Sequence, residues 1–311
     1  MRIVLPGALP DPAVAGELAA HLGNSAPTLL QWLSHARCTA HAADTAASGC
    51  LPHELWLLQA CGFQPEGDQN FATGLGPLHA GKAGHHDDQP IWVAELVHVA
   101  PSRDGAALLP ARELAITPDQ SVALFESVHD RFLEDGFQLE HIDTEHWRLT
   151  PPEGFTAASA SPALVSVTSV NDWWPQAAQA RPWRRLVNEI QMLWFAHPIN
   201  AARQEQGLPP VNSLWLYGGA RPGQLASIPA DDTQIHENLL EPLYKQDWGG
   251  WITALAALEN HVFAPLGTMP SQLILTGRER SVSLTPSRAH RWLGRLPGRK
   301  QTWRTWWSSQ N

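Results

Sequence analysis

The stretch from Trp183 to Gly219, WRRLVNEIQMLWFAHPINAARQEQGLPPVNSLWLYGG, is apolar enough for a protein core, yet it carries regularly spaced polar side chains. Buried polar groups cost free energy unless they are hydrogen-bonded. Each of them must therefore be held by the scaffold or be free to bind a ligand. The six side chains are Asn188, Gln191, His197, Asn200, Arg203 and Asn212.

The spacing of these residues also constrains the local structure. A three-residue step drifts by about 60° around an α-helix, so one straight helix cannot point all six side chains the same way. Pro198 also interrupts the helical hydrogen bonding. The pattern predicts a helix over about 182–196, a second helical piece ending near Gly207, and a buried strand over 211–217. Gly218-Gly219 then closes the strand, as a tight turn or as an anion-binding backbone turn.

Two interpretations of the six side chains remain open. The planar guanidinium of Arg203 is suited to bidentate binding of a carboxylate or phosphate, with asparagines orienting the ligand. This interpretation predicts a small-anion site in which Arg203 faces a cleft. In the alternative, the six residues form a polar network that fastens chain segments together, with Arg203 buried against backbone carbonyls.

Composition narrows the class of protein. With 311 residues, 43% hydrophobic and 16% charged, the chain is typical of a folded protein with room for two domains. The net charge of −9 gives the molecule no electrostatic reason to bind nucleic acid. No apolar run approaches membrane-spanning length, so no membrane association is expected. Three cysteines without a CxxC pair indicate reduced thiols and a cytoplasmic protein.

The C-terminal tail is basic and rich in tryptophan. No acidic residue follows Glu279, and the chain ends in QTWRTWWSSQN. One interpretation is a segment that binds a protein partner. The other is a terminal helix that packs its tryptophans on the core.

Strand and helix patterns alternate along the chain. Helices are predicted over 26–36, 52–61, 118–134, 250–266 and 286–296, with Thr117 capping the third. Strands are predicted over 2–5 and 91–99, in a hairpin over 136–150, and as a pair over 271–285. The segments 62–90 and 151–161 are predicted as a loop and a linker. This alternation indicates an α/β fold.

The motif HPINAARQEQGLPPVNSLWLYGG resembles a segment of the archaeal-type cofactor-independent phosphoglycerate mutases, of the alkaline-phosphatase superfamily. Weaker matches are RIVLPGALPDP, PHELWLLQACGFQP and TGLGPLHAG. The chain is more similar still to their bacterial E-type relatives, regulatory proteins from pathogenicity-factor clusters. The resemblance implies an alkaline-phosphatase-like core sheet flanked by helices, formed by 1–104 and 212–311, with an inserted α+β domain over 105–211.

The chain departs from this family where the enzymes carry their chemistry. Those enzymes use a serine or threonine nucleophile between two divalent metals held by Asp and His. The resemblance puts the nucleophile position at His53, its acidic neighbour at Glu54 and the first metal-binding Asp at Pro6. The late Asp-His pair falls at Gly277-Arg278, and the Asp-x-x-x-His segment is reduced to Asp247. The departures imply a chain with no metal, no cofactor and no mutase chemistry.

Three functions follow from these observations. The first is a catalytically defective, mutase-like protein that binds a small anion or regulates a process in the cytoplasm. The second is a metal-independent phosphoryl-transfer or hydrolase enzyme that uses His53 and Glu54 as an acid–base pair, or His53 as a phosphorylated residue. The third is an interaction module acting through the tail. A solvent-facing helix start is the alternative role for His53 and Glu54, and a hydrated loop is the interpretation of His85-His86-Asp87-Asp88.

Overall fold

The structure is a computed structural model that describes residues 1–80, 88–103, 105–227, 232–287 and 303–307. It divides into two compact units. Unit 1 comprises Met1–Thr45, Leu51–Leu57 and Pro229–Asn311, and unit 2 comprises Ala46–Cys50 and Leu58–Ile228.

Strands and helices alternate through the described residues. The strands are β1 (Arg2–Leu5), β2 (Ala36–Ala42), β3 (Ile91–Ser102), β4 (Gly105–Leu109), β5 (Gln138–His141), β6 (His146–Thr150), β7 (Ser213–Ala220), β8 (Thr233–Ile235), β9 (Gln272–Thr276) and β10 (Arg280–Pro286). The helices are α1 (Pro12–Ser25), α2 (Pro27–His35), α3 (Thr45–Ser48), α4 (Pro52–Ala60), α5 (Leu75–Ala80), α6 (Pro118–Glu134), α7 (Pro162–Val167), α8 (Val170–Trp173), α9 (Arg181–Phe195), α10 (Pro198–Glu205), α11 (Leu240–Lys245), α12 (Trp248–Leu258), α13 (Ala264–Leu266) and α14 (Trp303–Trp307). The predicted mixed α/β class is confirmed.

The sheet of unit 1 has, within the described residues, the strand order β2-β10-β9-β1-β8. β1 pairs in parallel with both β8 and β9, whereas β10 runs antiparallel to β9 and β2. β2 was not predicted from the sequence. Its segment, ARCTAHA, is short and mostly exposed because β2 is an edge strand, so it lacks the alternation of a half-buried strand.

Helices cover the sheet of unit 1 through apolar faces at helical spacing. α1 buries Ala15, Leu18, Ala19 and Leu22, which recur every three or four residues. α2 begins at Pro27 after Ala26, which has no side-chain hydrogen bond to cap the helix. The carboxylate of the buried Glu259 accepts hydrogen bonds from Thr28 N (3.0 Å) and Leu29 N (3.4 Å) instead.

The described part of the C-terminal tail belongs to this core. Trp303 and Trp307 of α14 are 1% and 0% exposed and lie in the same apolar cluster as Trp251. Trp307 Nε1 donates to Ala15 O at 3.3 Å, and Arg280 Nη1 donates to Trp306 O at 2.8 Å. Residues Trp303–Trp307 therefore pack on the core, as in the second interpretation of the tail. The predicted helix over 286–296 lies outside the described residues beyond Ser287.

The sheet of unit 2 has the order β4-β3-β6-β5 in the described residues, and β7 pairs antiparallel with β3. Its helices α6 and α9 bury one apolar cluster, in which Phe132, Phe137 and Trp183 contact one another at ring-centroid distances of 6.3 Å. β3 pairs with β4, β6 and β7, and both β3 and β7 belong to unit 2. The boundaries between the two units fall at 45/46, 50/51, 57/58 and 228/229. The division into a core and an inserted domain at 104/105 and 211/212 stays a prediction.

The strand predicted after the polar segment begins and ends later than expected. It was expected over 211–217 with Gly218-Gly219 as its closing turn, but β7 contains both glycines, at φ of 98° and 104°. The Gly218 amide donates to Ser159 Oγ at 2.9 Å, so it is used within the protein. A Cβ on Gly218 would lie 2.5 Å from Ile91 O, so glycine is needed for this close approach of β7 to β3.

Two further expectations differ from the structure. The loop predicted over 62–90 contains α5, whose residues are mostly buried. The linker predicted over 151–161 has buried residues at its end, among them Ser159 and Ala160. No helix within the described residues is both long and apolar enough to cross a membrane.

Candidate functional site

The carboxyl ends of three parallel strands meet at one edge of the unit 1 sheet. β8, β1 and β9 are neighbours there, and the segments that follow them begin at His236, Pro6 and Gly277. Ligands of α/β sheets bind at this edge. The positions that the resemblance assigns to metal ligands and nucleophile also follow these strands or lie in α4.

The turn after β1 is built for packing. Gly7 has a φ of 82°, and a Cβ there would lie 2.3 Å from Leu239 O, so only glycine permits this approach. Trp251 Nε1 donates to Gly7 O at 2.8 Å. Pro6 is buried and has no metal-binding side chain. Asp247 caps α12 by accepting from Gly250 N at 2.9 Å.

Arg278 places a fixed positive charge at the end of β9. Its Nη2 donates to Leu243 O at 3.0 Å and to Tyr244 O at 3.2 Å, and its guanidinium carbon lies 4.8 Å from the centre of the Tyr244 ring. Its Nε lies 3.4 Å from Asp11 Oδ1. Stacking, two carbonyls and a carboxylate therefore hold this cation where the resemblance puts a metal-binding pair.

Tyr244 beside it stays protonated over the physiological pH range. Burial raises its pKa, and the negative charges of Glu54, Asp11 and Glu279 raise it further against the opposing effect of Arg278. The result is a pKa of about 12. The hydroxyl is therefore a poor base or nucleophile near neutral pH.

His53 and Glu54 do not act together. His53 is only 4% exposed, with Nε2 lying 3.6 Å from Glu237 Oε1, and its Nδ1 has no hydrogen-bond partner among the described residues. Glu54 turns back to the start of α4, where its Oε2 accepts from Leu51 N at 2.7 Å. The solvent-facing helix start considered for the pair is wrong for His53, because the imidazole is buried.

No group of three or more His, Cys, Asp or Glu is placed to hold a metal ion among the residues that the structure describes. His85, His86 and Asp87 of the histidine-rich loop lie outside those residues. Asp88 accepts a hydrogen bond from Gly223 N at 3.2 Å.

Arg203 does not face a cleft. It is 0% exposed, and its guanidinium donates to Pro209 O (2.9 Å), to Gln120 Oε1 (2.7 Å) and to Leu114 O. Burial lowers the pKa of Arg203. With three acceptors satisfied inside the protein, the geometry is that of the scaffold network and corrects the expected cleft-facing arrangement.

Asn200 and Asn212 also serve the scaffold. The buried Asn200 donates through Nδ2 to Trp194 O (2.9 Å) and Val211 O (2.8 Å), and its Oδ1 accepts from Val211 N at 2.8 Å. Asn212 pairs with both backbone groups of Val99 at 2.8 Å, so its side chain extends the pairing of β7 with β3. No polar group of the Asn200 side chain is left for a ligand.

The other three residues are dispersed. His197 caps α10, with Nδ1 accepting from Ile199 N at 3.3 Å, and burial lowers its pKa. Gln191 Nε2 donates to Ser213 Oγ at 3.3 Å. Asn188 is exposed on α9 and lies beside Gln191 in a shallow surface depression. The six predicted ligand residues therefore do not converge on one point.

Three residues that the sequence did not indicate contact the candidate residues: Gln120 bonds Arg203, Tyr244 stacks with Arg278, and Glu237 lies beside His53. Gln120 forms the capping box of α6 with Thr117 and also accepts from Arg203. The capping box was visible in the sequence, but its link to an arginine 83 residues away was not. Tyr244 and Glu237 carried no local signal, because their partners come from distant segments of unit 1.

His146 forms ion pairs with two carboxylates in unit 2. Its Nδ1 lies 2.9 Å from Asp143 Oδ1, and its Nε2 lies 3.6 Å from Glu95 Oε2. Burial opposes the charged imidazole, but the hydrogen bonds to Asp143 and Glu95 outweigh it and raise the pKa of His146 to about 10. Burial also opposes charge on Asp143, and the hydrogen bond with His146 outweighs it and lowers the pKa of Asp143 to about 2.

Replacing His146 with glutamine should destabilise the protein in a pH-dependent way. A raised histidine pKa stabilises fully below its unfolded-state value near 6.5, and this stabilisation is lost as pH rises towards 10. The Asp143 contribution is present above its ordinary value and is lost only as pH falls towards 2. We expect His146→Gln to cost about 2 kcal/mol at pH 5.5, because a charged hydrogen bond is lost and Asp143 is more than half exposed.

Urea unfolding of wild type and His146→Gln across the alkaline range measures this difference, which should shrink between about pH 6.5 and 10. His129→Gln, at a partly exposed position on α6, is the control. A cost for His146→Gln that stays constant from pH 5.5 to 9.5 would contradict the assignment.

The sequence is similar to that of a curated protein. No family model matches the chain. It is 26% identical over 162 residues to a probable 2,3-bisphosphoglycerate-independent phosphoglycerate mutase of Geobacter sulfurreducens, a match that spans 50% of this chain and 40% of the relative. The similarity is to phosphoglycerate mutases. It is weak, and this chain covers less than half the length of that enzyme, so activity does not transfer with it.

Two solved structures are similar over most of the chain. The PH0037 protein of Pyrococcus horikoshii has a TM-score of 0.42 at 11% identity, covering 92% of this chain and 87% of that one. A cofactor-independent phosphoglycerate mutase of Thermoplasma acidophilum has a TM-score of 0.32 at 14% identity, covering 92% and 90%.

Proposed function

We propose that this chain is a catalytically defective, mutase-like protein that acts by binding, in a regulatory role, and does not turn over a phosphate ester. The sequence similarity to a phosphoglycerate mutase supports the scaffold. The geometry of Arg278 is the observation that best supports the proposed loss of catalysis. A guanidinium at the end of β9, paired with Asp11, occupies the position where the resemblance puts metal ligands.

The charges around Arg278 are unsuited to metal-dependent phosphoryl transfer. In the two-metal enzymes of the resembled family, phosphoryl transfer uses metal ions to neutralise the transferred phosphate and to hold the attacking and leaving oxygens in line. A guanidinium fixed on two carbonyls and a tyrosine ring neutralises Asp11 but offers no open coordination position for a substrate oxygen. Pro6, without a side-chain ligand, removes a second position assigned to metal binding.

The second function is metal-independent phosphoryl transfer through His53. The observation that favours it is the unpartnered Nδ1 of His53 among the described residues, with Glu237 facing the opposite ring nitrogen. A histidine nucleophile has this arrangement, with a carboxylate orienting the ring. The 4% exposure of His53 argues against it, because an in-line phosphate has to reach the nitrogen.

Metal analysis and turnover assays test both functions. The full chain, purified from zinc- and manganese-supplemented cells, should carry well under about one metal ion per chain, because a two-metal site needs several convergent ligands. It should not convert 3-phosphoglycerate or p-nitrophenyl phosphate above a no-protein background. Two metal ions per chain together with mutase turnover would overturn the proposal.

Two variants distinguish turnover by His53 from turnover by a contaminating enzyme. Turnover without metal that disappears in His53→Gln but persists in His261→Gln, an exposed histidine of the same unit, would establish the histidine mechanism. The cytoplasmic location, the anionic ligand and a protein partner of the tail stay predictions. Residues 288–302 and 308–311 of the tail lie outside the described residues.

A further inference from the structure

Unit 2 contains a cavity of about 610 Å³. Its walls come from the start of β3, the end of β7, the turn around Asn70 and the segment 155–159. The volume falls within the range of small-molecule sites in proteins. None of the edge residues of unit 1 lines it, so this cavity is separate from the site already considered.

One wall of the cavity is aromatic. Trp92, 6% exposed, packs edge-to-face against Phe155 with ring centroids 5.5 Å apart. The Trp92 ring lies directly against the backbone of Gly219, where a Cβ would come within 2.5 Å of it. The absent side chain at Gly219 lets the ring approach the strand this closely. Such a wall favours planar aromatic ligands.

The polar groups of the wall favour a ligand that donates hydrogen bonds. Asn70 Nδ2 donates to Ser159 O at 2.7 Å, which fixes the amide orientation and makes Oδ1 the remaining acceptor. That oxygen is buried and has no hydrogen-bond partner among the described residues. Asn70 lines the cavity, and an unsatisfied buried acceptor costs free energy, so a ligand N–H that reaches this oxygen would be stabilising.

The charge of the wall excludes anions. Asp68 contributes a carboxylate, and no lysine, arginine or histidine is among the described residues that line the cavity. Moving an anion from water into an apolar cavity beside a carboxylate is unfavourable on both counts. A phosphorylated or carboxylate ligand does not fit this environment.

We propose that the cavity binds a planar nitrogen heteroaromatic molecule, neutral or cationic, that packs against the wall formed by Trp92 and Phe155 and donates an N–H to Asn70. This binding does not depend on the proposed loss of catalysis, because the cavity is formed by unit 2 alone. The proposed ligands are neutral or cationic, whereas phosphoglycerate is an anion.

Three indoles of one ring system and different charge test the proposal. The probes are tryptamine (cationic), 3-methylindole (neutral) and indole-3-acetate (anionic), measured by titration calorimetry and saturation-transfer NMR on the full chain. We expect tryptamine and 3-methylindole to bind, and indole-3-acetate to bind at least about tenfold more weakly, because it meets Asp68. Asp68→Asn should reduce the preference for tryptamine over 3-methylindole.

Matched variants assign the binding to this cavity. Ala177→Trp and Ala158→Trp place a large ring at exposed lining positions and should abolish binding. Ala178→Trp, an exposed neighbour that does not line the cavity, should leave it unchanged. Binding that survives both blocking substitutions, equal or tighter binding of indole-3-acetate, or no binding of any probe would overturn the proposal.

Discussion

Replacing Arg203 with alanine is expected to lower the free energy of unfolding by about 3–5 kcal/mol, one of the two largest effects in this protein. The guanidinium is fully buried, and it donates to Pro209 O, Leu114 O and Gln120 Oε1. The substitution removes all three hydrogen bonds at once and deprives Leu114 O and Pro209 O of this donor, whereas Gln120 Oε1 still accepts from Thr117 N. Urea unfolding monitored by circular dichroism measures the loss.

Arg181→Ala, at an exposed position in the first turn of α9, is the matched control and should change stability by less than about 0.5 kcal/mol. Thermal melts with phosphate, citrate and 3-phosphoglycerate test the anion-site interpretation in the same experiment. Arg203→Ala that unfolds like wild type, while wild type alone is stabilised by one of these anions, would restore that interpretation.

Replacing Trp307 with alanine is expected to destabilise unit 1 by about 3–5 kcal/mol, because a large core aromatic leaves a cavity that the surroundings fill only in part. Trp307 is 0% exposed and packs against Trp251 and Trp303 at ring-centroid distances of 6.4 and 5.8 Å. It also donates to Ala15 O. Removing the chain after Leu296 should produce a loss at least as large.

Trp306→Ala tests whether the loss of stability in Trp307→Ala comes from the burial of Trp307 or from removing any tryptophan of the tail. Trp306 is the half-buried neighbour in the same helix, so its replacement should cost clearly less. Equal stability of wild type, Trp307→Ala and the truncated chain would show that the tail does not belong to the core. The partner-binding interpretation would then account for the tail.

Elements with strong local signals were predicted well. Thr117 as the cap and Pro118 at the first position correctly predicted the start of α6, because capping depends on residues close together in the chain. Pro198 divided α9 from α10 as expected, since proline removes a backbone donor. Edge strand β2 was missed, because its pairing with β10 depends on residues more than 200 positions away.

The candidate site shows where sequence reasoning ended. The sequence identified Arg203 and Asn200 as polar groups in an apolar segment, and it showed that Pro6, His53 and Arg278 stand where the resemblance places metal chemistry. The sequence could not decide whether Arg203 binds an anion or belongs to the scaffold network, because both roles require an arginine at this position. Leu114, Gln120 and Pro209 were the deciding partners, and two of them lie in a distant segment.

The sequence by itself determined the helical periods, the caps and the proline break, because each is a property of one residue or of near neighbours. It also gave the identity of the residues at the positions that the resemblance assigns to metal ligands. Only the tertiary structure decided that β3 and β7 join the second sheet, that His53 is buried, and that Arg278 stacks on Tyr244 beside Asp11. These outcomes depend on contacts between segments far apart in the chain. Burial and electrostatic pairing are properties of the assembled neighbourhood, which no local pattern encodes.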